Sequence, residues 1–207
     1  MNKNIVIFLL AIAINCQKTK LKSPLMSSIT RQIEMKIQIG EEILREPLQI
    51  ALYGKDAPST TRRFYSLCTQ SAVKSDGKLT GYVGSKFHKI IPKSMIQGGD
   101  FIKQDGSGID YSEEVPDFEE DELRIKHAHG VVGMINPNNG KIGNQFYITT
   151  SETPWLDRKN VVFGLIWGGM DIVNEIEKMG TASGKPIKEV KILECYDPSK
   201  RREAKEN

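Results

Sequence analysis

The sequence predicts a mainly β domain, either a β-barrel or a β-sandwich whose ends are closed by helices. Two observations support this class: many short strand-like runs follow one another between turn clusters, and two segments show helical spacing. The 207 residues fit one domain of ordinary size with tails, and 39% hydrophobic with 27% charged residues is an ordinary globular composition.

The first elements come from residues 33–39, where isoleucine and methionine alternate with polar side chains. This period of two is typical of a half-buried antiparallel strand. A second run at residues 48–54 follows a polar turn and predicts a hairpin or meander. Residues 56–70 predict a helix, with Asp56 as its N-cap and Pro58 in its first turn.

The later elements are mostly strands. A second helix fits "GMDIVNEIEKMG", in which Ile172, Val173 and Ile176 form an apolar stripe and Gly180 is a natural stop. The strand-like runs between and after the helices are "SKFHKII", "SMIQGGDF", "GVVGMI", "QFYITT", "VVFGLI" and "KEVKILECY".

The N-terminus forms a separate unit. Lys3 precedes an apolar run over residues 5–14 that is shorter than the ~20 residues of a membrane-spanning helix. A positive start and an apolar core of this length are typical of a secretory signal peptide, with cleavage expected near residues 15–17. An uncleaved anchor or a buried terminal helix are the alternatives. The predicted organisation is a hydrophobic segment at 1–16, a linker at 17–30, a folded domain at 31–197 and a polar tail at 198–207.

Several classes of function are not indicated. The net charge is +3, and no Lys/Arg block interleaves with aromatic residues, so a nucleic-acid surface is not expected. No G-x-S-x-G, P-loop or dinucleotide fingerprint is present. The cysteines are Cys16, Cys68 and Cys195. Because Cys68 and Cys195 lie in apolar runs, we interpret them as ordinary buried thiols rather than a bridge or a reactive pair.

Two clusters could suggest a metal. His127 and His129 share one side of an extended chain, but no third ligand follows at a suitable spacing. The acidic run at 116–122 lacks the spaced ligands and the glycine of a calcium loop. We therefore interpret the histidines as a turn-flanking pair and the acidic run as a solvated loop, and we expect no metal and no cofactor.

What remains is a set of aromatic, amide and apolar side chains. A groove lined in this way binds an extended peptide through backbone amides and side-chain pockets, and it needs no nucleophile. The set consists of Phe87, Met95, Gln97, Asn136, Gln145, Tyr147 and Trp155.

Three segments, "FHKIIPKSMIQGGDF", "DGSG" and "NQFYITTSETPWLDRKNVVFGLIWGGMDIV", resemble the cyclophilins, a family of peptidyl-prolyl cis-trans isomerases. The resemblance runs from Ile33 to Tyr196, and "FYITT" and "VVFG" are similar to the secreted branch. It implies a closed eight-stranded antiparallel β-barrel capped by two helices.

The implied reaction explains why no nucleophile is needed. The barrier to peptide rotation is ~18–20 kcal/mol because the C–N bond has double-bond character. Catalysis requires that the twisted amide be held better than either planar form. In the twisted state the proline nitrogen regains a lone pair, which a positioned hydrogen-bond donor can stabilise.

The resemblance also assigns roles to residues. Lys89 stands where the family has its catalytic arginine, Gln97 where a glutamine braces that arginine, and Asn136 where the peptide backbone is clamped. These three are the predicted catalytic residues. The implied proline pocket consists of Met95, Tyr147 and Leu156, and the implied groove lining of Gly106, Gln145 and Trp155.

Several positions depart from the family pattern. Lysine for arginine at Lys89 is not conservative, because a point charge on a flexible stem cannot span two partners as a planar fork does. Ser94 replaces a phenylalanine of the pocket wall, which removes ~2 kcal/mol of apolar contact. Tyr147 replaces another pocket phenylalanine and keeps the ring.

The residues on either side of Asn136 are changed as well, and their bulk narrows the implied groove. Ile135 and Pro137 replace small residues on either side of Asn136, and Pro137 removes a backbone N–H. Asn160 replaces a histidine at the groove edge. We expect Ile135, Pro137 and Asn160 to contact substrate together with Ser94.

The sequence therefore predicts a peptidyl-prolyl cis-trans isomerase that assists protein folding, with reduced activity. The alternative is a catalytically weak or inactive cyclophilin that serves as a peptide-binding or structural subunit. The expected partners are proline-containing client segments and a cyclosporin-type ligand, with membrane or complex association through residues 1–16. The expected location is the secretory pathway, or a mitochondrial or membrane-associated complex if residues 1–16 are retained.

Overall fold

The computed structural model describes residues 28–111, 118–136 and 141–201. The predicted hydrophobic segment 1–16 and most of the linker and of the polar tail lie outside the described residues. The strands are β1 (Arg31–Ile39), β2 (Glu42–Ile43), β3 (Leu48–Leu52), β4 (Lys89–Ile91), β5 (Met95–Gly98), β6 (Val131–Met134), β7 (Phe146–Thr149), β8 (Val162–Gly168) and β9 (Val190–Tyr196). The helices are α1 (Pro58–Thr69) and α2 (Met170–Glu177), with 3-10 turns at Glu120–Arg124 and Pro154–Leu156.

The described strands form one antiparallel sheet in the order β2-β1-β3-β8-β6-β7-β5-β4, and β9 pairs with β1. Each predicted strand run overlaps an observed strand, and the mainly β class is confirmed. On β1 the side chains of Ile33, Met35 and Ile37 are completely buried, as their alternation predicts. Burial of each such side chain stabilises the fold by about 1.5–3 kcal/mol.

The closed eight-stranded barrel is corrected to a curled, open half-barrel, because no ladder joins β4 to β9 among the described strands. β4 has three residues, and its Ile90 N–H donates to Gly184 O at 2.8 Å, so the loop before β9 occupies this edge. The segment before β4 bonds to β9 instead, where Phe87 N–H donates to Val190 O at 2.9 Å. The curled sheet encloses the hydrophobic core.

Helix α1 packs its apolar face on the sheet through Phe64. The centroid of the Phe64 ring lies 4.7 Å from that of Phe163 and 5.2 Å from that of Phe146. The N-cap is Ala57, which makes no side-chain cap, so the predicted cap by Asp56 is wrong.

A distant carboxylate takes the place of that cap. Glu122 Oε1 accepts from Ser59 N–H at 3.3 Å, and Glu122 Oε2 accepts from the Thr60 hydroxyl at 2.9 Å. Glu122 is buried, so the prediction that the acidic run is entirely solvated is wrong at this residue. The bare N–H groups of a helix N-terminus favour an anion, which explains the placement.

Cys68 on α1 and Cys195 on β9 form a disulfide across 127 residues of sequence. The interpretation of these two residues as ordinary thiols is therefore wrong. Both half-cystines are buried, so the apolar character of their surroundings was correctly inferred.

Helix α2 buries Ile172, Val173 and Ile176, the stripe that its spacing predicts. The helix ends at Glu177, and Gly180 N–H donates to Glu177 O at 2.9 Å in the turn that follows. Among the described helices, none has the length and apolar character needed to cross a membrane.

Candidate functional site

The β4–β5 hairpin places Lys89 directly opposite Gln97, and Ile91 opposite Met95. Ser94 lies in the turn of this hairpin, where its N–H donates to Ile91 O at 3.2 Å. Lys89 is exposed and Gln97 and Met95 are half-buried, so this face of the hairpin is open to a ligand. The structure thus brings four predicted site residues together on one short hairpin.

The stem of Lys89 runs over the backbone of Gly184. A Cβ at Gly184 would lie 3.0 Å from Lys89 Cγ and 3.4 Å from Lys89 Cε, so a side chain there would press on the lysine. Among the described residues, no ion pair or side-chain hydrogen bond involves the ammonium group of Lys89. Its three donors therefore remain available for a substrate.

Gln97 is held in place by Gln145. Gln97 Nε2 donates to Gln145 Oε1 at 2.9 Å, and Gln145 Nε2 donates to Gly106 O at 3.0 Å and to Gly108 O at 2.8 Å. Gln145 is buried, so these bonds are shielded from water. The predicted brace between Gln97 and Lys89 stays a prediction, because the amide nitrogen of Gln97 is used on Gln145.

The loop that carries Gly106 and Gly108 is organised by Asp100. This aspartate is fully buried, and a Cβ at Gly108 would lie 2.2 Å from its Oδ1, so the loop wraps tightly around it. Its carboxylate accepts backbone N–H groups at 2.9 to 3.3 Å from Ile102, Lys103, Asp105, Gly106 and Gly108. Burial alone would raise the pKa of Asp100, but these donors outweigh it and the pKa lies below its usual value.

Asn136 lies just after the end of β6. The backbone N–H of Asn136 donates to Asn160 Oδ1 at 3.1 Å, and Asn136 Nδ2 donates to Lys159 O at 3.5 Å. Both donors are therefore already used within the protein. The carbonyl Oδ1 of Asn136 is buried without a protein partner. Two predicted site residues, Asn136 and Asn160, are therefore in direct contact. Pro137 lies outside the described residues.

Two depressions flank Gln97 and Gly106. The smaller one, of ≈ 120 Å³, lies between Gln97, Gly106 and Ile135, with Gln145 at its wall. The larger one is an open groove of ≈ 840 Å³ whose lining includes Lys89, Gln97 and Gly106. Both depressions share Gln97 and Gly106, so these two residues lie between them.

The 3-10 turn Pro154–Leu156 presents the other predicted groove residues. Trp155 is 53% exposed and Leu156 is half-buried, so both offer surface to a ligand. The turn is fixed by backbone hydrogen bonds, among them Leu156 N–H to Thr153 O at 3.0 Å.

Tyr147 is placed differently from the prediction. It lies on β7 between Gln97 of β5 and Gly133 of β6, and its side chain is completely buried. In this structure it offers no exposed wall to a proline ring. Its hydroxyl lies 2.6 Å from His127 Nε2, and His127 Nδ1 lies 2.8 Å from Asp157 Oδ1.

Sequence reasoning missed four residues that shape the site: Asp100, Gly133, His127 and Asp157. The aspartate of the G-G-D motif was a usable signal, because an acidic residue after two glycines often organises a turn. His127 was interpreted as a turn-flanking residue, whereas the structure buries it in a polar network. Within the described residues, no group of three or more His, Cys, Asp and Glu side chains could hold a metal ion.

Comparison with known proteins agrees with this geometry. The family model "Cyclophilin type peptidyl-prolyl cis-trans isomerase/CLD" matches residues 34–197. Peptidyl-prolyl cis-trans isomerase B of Saccharomyces cerevisiae is 40% identical over 174 residues, which cover 81% of this chain and 80% of the yeast protein. The chain therefore belongs to the cyclophilin-type peptidyl-prolyl cis-trans isomerase family, as the sequence resemblance predicts.

Proposed function

We propose that this protein catalyses cis-trans isomerisation of X–Pro bonds in client chains, with Lys89 as the donor to the proline nitrogen. The observation that carries the proposal is the chain of hydrogen bonds from Asp100 through the Gly106–Gly108 loop and Gln145 to Gln97. This chain fixes Gln97 opposite Lys89 at an open groove. A donor held at the developing lone pair lowers the barrier without any bond being broken.

The proposed activity is reduced relative to an arginine-bearing site. The ammonium of Lys89 can donate to the proline nitrogen, but it cannot present two parallel N–H groups to the substrate and to Gln97 Oε1. Ser94 adds little apolar surface to the wall of the pocket. Both changes weaken contacts that are made at the reacting proline.

A second candidate function is a peptide-binding or structural module with a weak or absent catalytic step. The observation that favours it is the complete burial of Tyr147, which leaves Met95 and Leu156 to hold a proline ring. Such a module would bind proline-containing segments in the same groove without accelerating their rotation.

The test mixes the purified full chain with a proline-containing peptide at equilibrium. NMR exchange spectroscopy then measures the rate at which the X–Pro bond isomerises. The uncatalysed exchange takes tens of seconds or longer, so catalysis appears as exchange cross-peaks on a much shorter timescale. Cross-peaks that depend on the protein concentration support the isomerase. Binding shifts without exchange cross-peaks would contradict it and support the binding module.

A cyclosporin-type cyclic peptide is the proposed inhibitor of the same groove. Trp155 is 53% exposed and is a predicted residue of that groove, so we expect its fluorescence to report occupancy. We expect weak binding, because Ile135 narrows the small depression and Ser94 removes an apolar contact. Tight binding would contradict the altered groove.

The proposed location is the secretory pathway, with residues 1–16 as a cleaved signal peptide. The Cys68–Cys195 disulfide supports this location, because disulfides persist in oxidising compartments. Sequencing the N-terminus of the native protein tests the proposal. A start at Met1 or Asn2 would contradict cleavage and favour a mitochondrial or membrane-associated complex.

A further inference from the structure

His127 lies between two parts of the site that are distant in sequence. Its side chain is fully buried, and its two ring nitrogens contact Tyr147 Oη at 2.6 Å and Asp157 Oδ1 at 2.8 Å. The rings of His127 and Tyr147 are stacked, with centroids 5.9 Å apart. A buried polar side chain with both nitrogens partnered has one orientation open to it.

The backbone of His127 holds the turn that carries Trp155 and Leu156. Thr153 N–H, just before the turn, donates to His127 O at 2.9 Å. Asp157, just after the turn, accepts His127 N–H at Oδ1 at 2.8 Å. Both ends of the turn are therefore tied to a single residue.

Gly133 makes room for the tyrosine hydroxyl. A Cβ at Gly133 would lie 2.3 Å from both Cζ and Oη of Tyr147. Since no side chain can occupy that space together with the hydroxyl, the glycine lets Tyr147 reach His127. A phenylalanine in place of Tyr147 would leave His127 Nε2 buried and unpaired, which lowers stability.

We propose that His127 and Asp157 are positioning residues for the proposed isomerase, because they connect buried Tyr147 to the turn that carries Trp155 and Leu156. The inference rests on the proposed function, since Trp155 and Leu156 are predicted residues of the proposed peptide groove. Through this connection, the shape of the groove depends on a hydroxyl that the substrate never touches.

The hydrogen positions follow from the chemistry of the three groups. An ionised carboxylate can accept but not donate, so His127 Nδ1–H donates to Asp157 Oδ1. Burial lowers the pKa of His127 despite the opposing effect of Asp157, so the ring is neutral at neutral pH. Nε2 is then an acceptor, and the Tyr147 hydroxyl must donate to it.

Loss of the hydroxyl should act on substrate binding more than on the chemical step. Trp155 and Leu156 contact the substrate in the ground state and in the transition state alike, and loss of such uniform binding raises KM with little change in kcat. A role confined to stability would lower the free energy of unfolding and leave KM unchanged.

The experiment compares Tyr147→Phe with Tyr65→Phe in the full-length protein. Tyr65 is a matched control, because its hydroxyl donates to Asp197 Oδ2 at 2.9 Å and the bond joins α1 to the end of β9. For Tyr147→Phe we expect KM for a proline peptide to rise about 2- to 10-fold with kcat little changed, the range that one lost hydrogen bond allows. For Tyr65→Phe we expect no change in KM. An unchanged KM in Tyr147→Phe would overturn the proposal.

NMR gives a second readout that does not depend on activity. The wild-type His127 ring should show the Nδ1–H tautomer, and Tyr147→Phe should shift the Trp155 indole signal and the Leu156 amide signal. Tyr65→Phe should leave both signals in place. Wild-type protein without isomerisation would contradict the proposed function alone, whereas unshifted Trp155 and Leu156 signals in Tyr147→Phe would contradict the positioning role.

A double variant tests whether the residues act together. Combining Tyr147→Phe with Asp157→Asn should change KM by less than the product of the two single fold-changes, because both substitutions break one network.

Discussion

Lys89 and Gln97 face each other across the β4–β5 hairpin, yet the amide nitrogen of Gln97 donates to Gln145 Oε1 at 2.9 Å and not toward Lys89. Buried Gln145 therefore fixes the orientation of the Gln97 amide in the protein without substrate. This orientation leaves Gln97 Oε1 as an acceptor. Gln97 Oε1 is thus left to accept a hydrogen bond from the cation at position 89, which is a lysine and not a planar guanidinium.

The first prediction concerns the replacement Lys89→Arg. A planar guanidinium can donate to Gln97 Oε1 and to the substrate at the same time, which a lysine ammonium does poorly. We expect kcat/KM for a proline peptide to rise about tenfold, equivalent to ~1.4 kcal/mol of transition-state stabilisation. Steady-state isomerisation kinetics would measure the change.

Lys36→Arg on β1 is the matched control, since it makes the same chemical change outside the residues that line the groove. It should leave kcat/KM unchanged. If Lys89→Arg does not raise kcat/KM either, Ser94, Ile135 and Pro137 already prevent productive binding of the proline. That outcome would support the binding-module alternative.

The second prediction concerns Asp100→Asn. The carboxylate accepts five backbone N–H groups of the Ile102–Gly108 loop, and an amide would turn its own donor toward some of them. Hydrogen bonds to a charged group are worth roughly 1.5–3 kcal/mol each, so we expect a loss of at least ~2 kcal/mol in the free energy of unfolding. Urea unfolding monitored by circular dichroism would measure it.

Asp105→Asn is the control within the same loop. Asp105 is exposed, and its carboxylate accepts from the N–H and hydroxyl of Ser107 at 2.8 and 2.7 Å. We expect a much smaller loss of stability, because water can replace these bonds. Equal losses in the two variants would mean that burial of Asp100 does not set the strength of its contacts.

The third prediction is the pH dependence that Asp100 confers. The folded-state pKa of Asp100 lies below the unfolded-state value of about 3.9. Its contribution to stability is therefore fully present above that value and is lost as the pH falls through the folded-state pKa. Acid unfolding of wild type and Asp100→Asn should converge, so that the difference in stability seen at pH 7 narrows below about pH 4. A constant difference from pH 7 to pH 2.5 would show that the carboxylate is not the origin of the effect.

The fold could be predicted well because its signals are local. The alternation of Ile33, Met35 and Ile37 marks a strand with one buried face, and the spacing of Ile172 and Ile176 marks a helix stripe. Such periodicities follow from backbone geometry within a few residues. Closure of the barrel has no local signal in the sequence. It depends on whether the edge of the three-residue strand β4 is free to pair with β9, and the loop at Gly184 occupies that edge.

The candidate site could be predicted as a set of residues but not as a set of contacts. Lys89 and Gln97 are close in sequence and are paired in register on the hairpin, whereas the hydroxyl of Tyr147, a predicted pocket residue, contacts buried His127. That contact requires Gly133 on another strand to lack a side chain, and no local pattern reports such a three-body condition. The contact of Glu122 with the start of α1 could not be predicted for a similar reason, because Glu122 and Thr60 are 62 residues apart in the sequence.

The last prediction concerns the bond between Cys68 and Cys195, which ties α1 to β9 across 127 residues. A cross-link over a long loop restricts the unfolded chain, so its removal is expected to cost about 2–4 kcal/mol. Urea unfolding with and without reductant would measure this loss, and thiol titration of the native protein should find neither residue reactive. The Cys68→Ser/Cys195→Ser double variant is the control: it should match the reduced wild type and be insensitive to reductant. Equal stability of oxidised and reduced wild type would contradict a stabilising role for the bridge.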